Sequence, residues 1–278
     1  MTTLRSNVGV DTCPCARRSG EFLVIGTDDR RLITRTTEAP FRYICNLEYD
    51  GWSWCTGTLI GPRTVLTAGH CLTGVSSPSR MRVIPGRNGP HEPLPATRVT
   101  RLIPYPGFAP STPTDVGLLR LANPIGRTVG WWRRSVVTSR LDPIGSSMSA
   151  RPLPMPAGSI SVNLSGYPRD LPRRGFGCRV PGGGACDESP MGSPGRNRTQ
   201  CGTRQYATYE TTVTGSGGML WYRNDTCIGH SGSPVWVRRH PSMGGRVLVG
   251  VHVHGGATAN AAVRLTPTML RWIEAHTR

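Results

Sequence analysis

Thirty-five glycines and 25 prolines punctuate this 278-residue chain, and the apolar residues between them fall in short runs. That rhythm suits many short strands joined by tight turns rather than long helices. The Gly and Pro content is high, yet below what a low-complexity chain would need. Strands are expected over Phe41–Leu47, Thr56–Ile60, Met81–Ile84, Val116–Leu121, Ser159–Leu164, Tyr206–Val213 and Val247–Val253. The C-terminus alone reads as a helix of any length: Thr266 can cap it, Pro267 suits its first position, and Met269, Leu270, Trp272 and Ile273 form one apolar face. The length admits one large all-β unit or two barrels sharing a cleft. No apolar run approaches the roughly 18 residues of a membrane span, and no repeat of fixed period is visible.

Three segments carry candidate chemistry. Asp225-Thr226-Cys227-Ile228-Gly229-His230-Ser231-Gly232-Ser233-Pro234 offers Ser231 as a nucleophile. A serine hydroxyl is weak at its own pKa, so it needs a histidine base, a carboxylate to orient that base, and donors for an oxyanion. Thr67-Ala68-Gly69-His70-Cys71 supplies the base, and Thr114-Asp115-Val116-Gly117-Leu118-Leu119 supplies the acid ahead of an apolar strand. The order His, Asp, Ser excludes the nucleophile elbow, which needs Gly-x-Ser-x-Gly and runs Ser, Asp or Glu, His; here Ser233 stands in place of the second glycine.

These segments together resemble the chymotrypsin-like serine proteases, and further stretches narrow the resemblance to the bacterial glutamyl endopeptidase branch. The stretches are Val24 to Arg30, Pro85 to Gly89, Asn123 to Gly130, Ser165 to Pro168 and the Ser231 loop. The resemblance extends from Val24 to about Ile273. It implies an all-β fold of two antiparallel Greek-key barrels with a C-terminal helix and a site in the cleft between them. The corresponding divisions are 1–22 as a leader or prosegment remnant, 23–135 and 136–265 as the barrels, and 266–278 as the helix. A hinge is expected near Trp131–Pro143, and a Cys, Gly and Arg-rich insertion at 175–204.

The implied mechanism has His70 as base, Asp115 as its orienting acid, Ser231 as nucleophile, and the backbone N–H groups of Gly229 and Ser231 as oxyanion donors. No cofactor or metal is implied. Specificity draws on two opposed features. Asp225 lies where the wider family places an acidic residue that selects Arg or Lys. In contrast, Gly250-Val251-His252-Val253-His254-Gly255-Gly256 resembles the pocket strand in which the glutamyl branch places a histidine. His252 with the Thr226 hydroxyl could hold a substrate carboxylate, and His254 would line the cleft. The expectation is cleavage after Glu or Asp, with cleavage after Arg or Lys as the alternative.

A net charge of +17, carried by arginine with no lysine, also admits a non-catalytic polyanion-binding protein on the same scaffold. The arginines are dispersed, however, and no nucleic-acid motif with interleaved aromatics occurs, so the expected partners are protein or peptide substrates, with no nucleic acid and no membrane span, and the chain is expected to be a monomer. Nine cysteines without zinc spacing favour an oxidising, extracellular setting. Cys55 with Cys71 is the expected pair, clamping the loop under His70 and contributing about 3 kcal/mol. Some pairing is expected among Cys178, Cys186, Cys201 and Cys227, and the odd count leaves a thiol over. Met1–Phe22 lacks a signal-peptide core of 7 apolar residues, and self-processing after Glu21 near Phe22 is expected. His230 replaces the acidic residue that pairs with the new N-terminus in trypsin-type activation. Asn163, Asn197 and Asn224 open Asn-x-Ser/Thr triplets, which arise often by chance.

Overall fold

The computed structural model describes residues 24–26, 28–132, 161–169, 202–238 and 246–277. Two β systems organise them. The first is a closed antiparallel barrel of β2 (Ile44–Tyr49), β3 (Trp52–Gly61), β4 (Thr64–Thr67), β5 (Met81–Pro85), β6 (Thr97–Pro104) and β7 (Gly117–Leu121). Its strand order is β2-β3-β4-β7-β6-β5. The β2–β3 hairpin turns through Asp50 and Gly51, both with positive φ (51° and 81°); this two-residue turn matches the right-handed twist of its flanking strands. Leu59, Val65 and Leu119 are cross-strand partners on one face, Ile44 and Leu118 lie on the opposite face, and all five are fully buried.

The second system is an eight-stranded sheet that includes β1 (Arg31–Leu32). Its later strands are β8 (Ser161–Gly166), β9 (Tyr206–Thr212), β10 (Thr214–Ser216), β11 (Met219–Tyr222), β12 (Pro234–Arg238), β13 (Arg246–His254) and β14 (Asn260–Arg264). The order is β1-β9-β8-β12-β13-β14-β11-β10. Val162, Leu164, Leu220, Tyr222, Val235 and Val249 form a core of its own. The first barrel's core runs on through Trp132 and Trp236, whose rings lie 5.8 Å apart, so one apolar interior joins the two systems.

The chain ends are exchanged. β1, though first in sequence, pairs with β9 in the second sheet (Arg31 opposite Ala207). A short helix α1 (Gly126–Val129) follows the first barrel, and the terminal helix α2 (Pro267–Thr277) returns to it. There Trp272 packs edge-on against Tyr105 at 5.0 Å, while Met269, Leu270 and Ile273 are buried. The expected capping holds: Thr266 Oγ1 accepts the Met269 N–H at 3.3 Å.

Each expected strand has a counterpart, shifted at its ends by a few residues. Strands β1, β4, β6, β10, β11, β12 and β14 are additions to that reading. The assignment of residues from 23 onward to the first barrel differs at β1, which joins the other sheet because its edge partner is β9. Leader, hinge beyond Trp132, most of the insertion, Asn197, and Cys178, Cys186 and Cys201 lie outside the described residues. Asn163 and Asn224 are 1% and 0% exposed, so neither triplet presents its asparagine for modification.

Candidate active site

His70 sits in a 3-10 turn, Gly69–Leu72, directly after β4. The turn is tied down on both sides: Cys71 is disulfide-bonded to Cys55 of β3, and the Trp54 indole N–H donates to the Cys71 carbonyl at 2.8 Å. Phe108 lies over Gly69, where a methyl group would stand 2.4 Å from the ring. Asp115, immediately before β7, is wholly buried. Its Oδ1 accepts the His70 backbone N–H at 2.8 Å, and its Oδ2 faces His70 Nδ1 at 2.8 Å. The Ser111 N–H also donates to Oδ2, at 2.7 Å, from a non-glycine residue held at φ 56°. Three N–H groups around one buried carboxylate fix both its position and the plane of the imidazole. The His70 side chain remains 25% exposed.

The Ser231 loop packs against this turn through β3. Thr56 N–H donates to the Ser231 carbonyl (2.8 Å), and Thr67 Oγ1, three residues before His70, donates to the Thr56 carbonyl (2.8 Å). Cα of Gly232 is so close that an added methyl would lie 2.1 Å from the Thr56 carbonyl oxygen. The loop sorts its backbone polarity. The carbonyls of Cys227, Ile228, Gly229, His230 and Ser231 accept from His230 N, Arg169 N, Thr56 Oγ1, Ser233 N and Thr56 N respectively. The N–H groups of Gly229 and Ser231 find no acceptor among the described residues. Gly229 has φ 97°, and any side chain there would meet the Tyr167 carbonyl at 2.4 Å, so only glycine suits the turn. Carbonyls drawn inward and two amides left over make a local surface suited to negative charge.

The residues expected to contact a substrate side chain divide sharply. Asp225 is 2% exposed and turns toward the start of the described chain: Oδ1 accepts the Ile25 N–H at 2.7 Å and Oδ2 the Asp29 N–H at 2.8 Å. Burial pushes its carboxyl up to about 6 against the two amide bonds, with the neighbouring Asp29 adding to the rise. Thr226 is fully buried, and its Oγ1 has no partner among the described residues. His252, on β13, is also fully buried, with Nδ1 2.7 Å from the Tyr222 hydroxyl. Burial, reinforced by His70 and His254, lowers its pKa to about 3. That shift favours the neutral ring.

Sequence reasoning missed Tyr222, Ser111 and Thr56 as partners of the site. Tyr222 lies on β11, a strand the pattern did not mark, and Ser111 acts through its backbone, which residue identity does not reveal. Cys45 is a free, buried thiol whose pKa is raised by that burial, while Cys227 is disulfide-bonded.

Comparison with known proteins bears on the family and the fold. The family model described as Trypsin matches residues 33–273. The glutamyl endopeptidase of Bacillus licheniformis is 34% identical over 252 residues, covering 87% of this chain and 65% of its own length. A Bacillus subtilis protein named extracellular metalloprotease is 31% identical over 252 residues, covering 87% of this chain and 66% of its own. The chain thus spans about two thirds of the length of these relatives. The solved structure of a Glu endopeptidase in complex with MPD superposes with a TM-score of 0.64 at 24% identity, covering 92% of this chain and 99% of that one. With the two β systems, the His70–Asp115 pair and a family match across most of its length, the chain belongs to the trypsin-like serine protease family.

Proposed function

We propose that the protein is a secreted serine endopeptidase that cleaves after Glu, or less readily Asp, by an acyl-enzyme mechanism. The observation that carries the catalytic reading is the His70–Asp115 pair, with a buried carboxylate held by three N–H donors and a partly exposed ring. His70 would take the Ser231 proton during attack on the scissile carbonyl and return it to the leaving amine. Asp115 would keep the Nδ1–H tautomer, and the amides of Gly229 and Ser231 would bind the oxyanion. Water would then release the acyl group by the same steps.

Acidic specificity is supported by how Asp225 is used. Its two oxygens already serve the Ile25 and Asp29 amides, which leaves it poorly placed to receive an arginine or lysine. The buried Thr226 hydroxyl beside it can donate to a carboxylate. The tautomer in which the Tyr222 phenol donates to Nδ1 would put the proton of the neutral His252 ring on Nε2, where it can serve a substrate carboxylate. Hydrogen bonds to a charged acceptor are stronger than neutral ones, so a neutral pocket can still select Glu. The name of the Bacillus licheniformis relative points the same way, and the Cys55–Cys71 disulfide fits an oxidising environment.

The test is a peptide panel with Glu, Asp, Arg or Phe before the scissile bond, assayed with the wild type, Ser231→Ala, His252→Ala and Asp225→Asn. Glu peptides should be best, Ser231→Ala should lose at least about 10⁴-fold, and His252→Ala should lose Glu cleavage by about 10- to 100-fold with KM rising. Preferred cleavage after Arg that disappears in Asp225→Asn would reverse the specificity. Failure of a fluorophosphonate to label Ser231 would leave a polyanion-binding role on a protease scaffold.

A further inference from the structure

The residue just before the nucleophile is a histidine, and it is 1% exposed. Its Nδ1 accepts the backbone N–H of Cys227 at 2.9 Å, and its own backbone N–H donates to the Cys227 carbonyl at 3.0 Å. Side chain and backbone thus close the same four-residue turn from opposite directions. A ring nitrogen that accepts a hydrogen bond carries no proton, so this imidazole is neutral with its proton on Nε2. Burial, then the nearby Arg30 guanidinium and the His252 ring, oppose its protonation. The His252 ring stands edge-on at a centroid distance of 6.5 Å.

We propose that His230 is a positioning residue for the oxyanion site: its neutral ring clamps the Cys227 amide and thereby fixes the peptide groups whose Gly229 and Ser231 N–H groups remain available to the reacting carbonyl oxygen. Five successive carbonyls, from Cys227 to Ser231, are engaged on the protein side. Removing the imidazole takes away the acceptor that the Cys227 N–H uses inside the protein, and that loss is costly for a buried donor. The turn could relieve it by rotating the peptides between Cys227 and Gly229, which would carry the Gly229 N–H away from the site. Turn closure by an uncharged internal acceptor also needs no charged terminus, in keeping with the lack of an acidic residue at position 230.

The role rests on the protease reading and is separable from it. His230→Asn keeps an acceptor at the first branch of the side chain, while His230→Phe keeps the bulk and removes the acceptor. His230→Phe should lower kcat by about 10- to 100-fold with little change in KM, and weaken a peptide aldehyde, whose hemiacetal oxygen needs the same amides, by a similar factor. Binding of the acidic cleavage-product peptide should be unchanged, and amide exchange at Cys227 should accelerate. His230→Asn should recover most of each loss. His230→Phe with kcat within threefold of wild type, or both variants losing aldehyde and product binding alike, would overturn the clamp. If His230→Phe does not fold, His230→Gln replaces it, since its acceptor is displaced by one methylene; equal activity of the Asn and Gln variants would likewise overturn it. A wild type without Ser231-dependent turnover or labelling overturns the protease reading and this role together.

Discussion

At the scale of single residues, the most informative side chain is Asp225, because its identity and its use diverge. As a letter at its position it suggests a basic substrate; as an atom set it is an acceptor for Ile25 and Asp29. Its pKa of about 6 lies above the ordinary 3.8, so the folded state holds this proton more tightly than the unfolded chain does. Its contribution to stability is therefore greatest below about pH 4 and is lost as pH rises through about 6. The loss should be on the order of 1–3 kcal/mol. In urea titrations from pH 4 to 7, Asp225→Asn should show a flatter stability profile than wild type; equal slopes would remove Asp225 as the source. Asp29→Asn should soften the dependence as well, since its charge adds to the rise.

At the scale of elements, the fold was readable where a strand carries β-branched or large apolar residues, as in β3, β7 and β13. It was not readable where the pattern is short or mixed. β4 has four residues, the β6 stretch Thr97–Pro104 alternates buried positions with exposed arginines, and β14 carries two alanines. These become strands because neighbours complete their hydrogen bonding, which is a tertiary effect. The same reasoning applies to the site. His70, Asp115 and Ser231 could be found from local context, whereas the Tyr222–His252 pair and the anchoring of Asp225 depend on which strands adjoin. Helix α2 was legible from cap to face, and it gives a local prediction: Thr266→Ala should cost about 0.5–1 kcal/mol by removing the bond to the Met269 N–H. Circular dichroism melts would show it, and an unchanged midpoint would mean that packing of Met269 and Ile273 alone holds the first turn.

At the scale of the whole molecule, cross-links matter most where they meet the His70 turn. Cys55 and Cys71 are separated by 16 residues and join β3 to the His70 turn. Replacing both with alanine should destabilise by about 3 kcal/mol in the loop-entropy model, a drop of roughly 6–12 °C in melting temperature for a chain of this size. Activity should fall further at temperatures where the protein is still folded, because His70 loses one of its two fastenings; parallel losses of activity and fold would argue against that local effect. The exchange of chain ends has a consequence of a different kind. Ile25 and its acceptor Asp225 are 200 residues apart, so during synthesis at about 5–20 residues per second the first-made segment waits roughly 10–40 seconds for its partner to emerge. Until then the Ile25 and Asp29 amides lack the carboxylate that will hold them. The timing makes completion of the site one of the last events in the birth of the chain, and ties the onset of activity to the arrival of its final third.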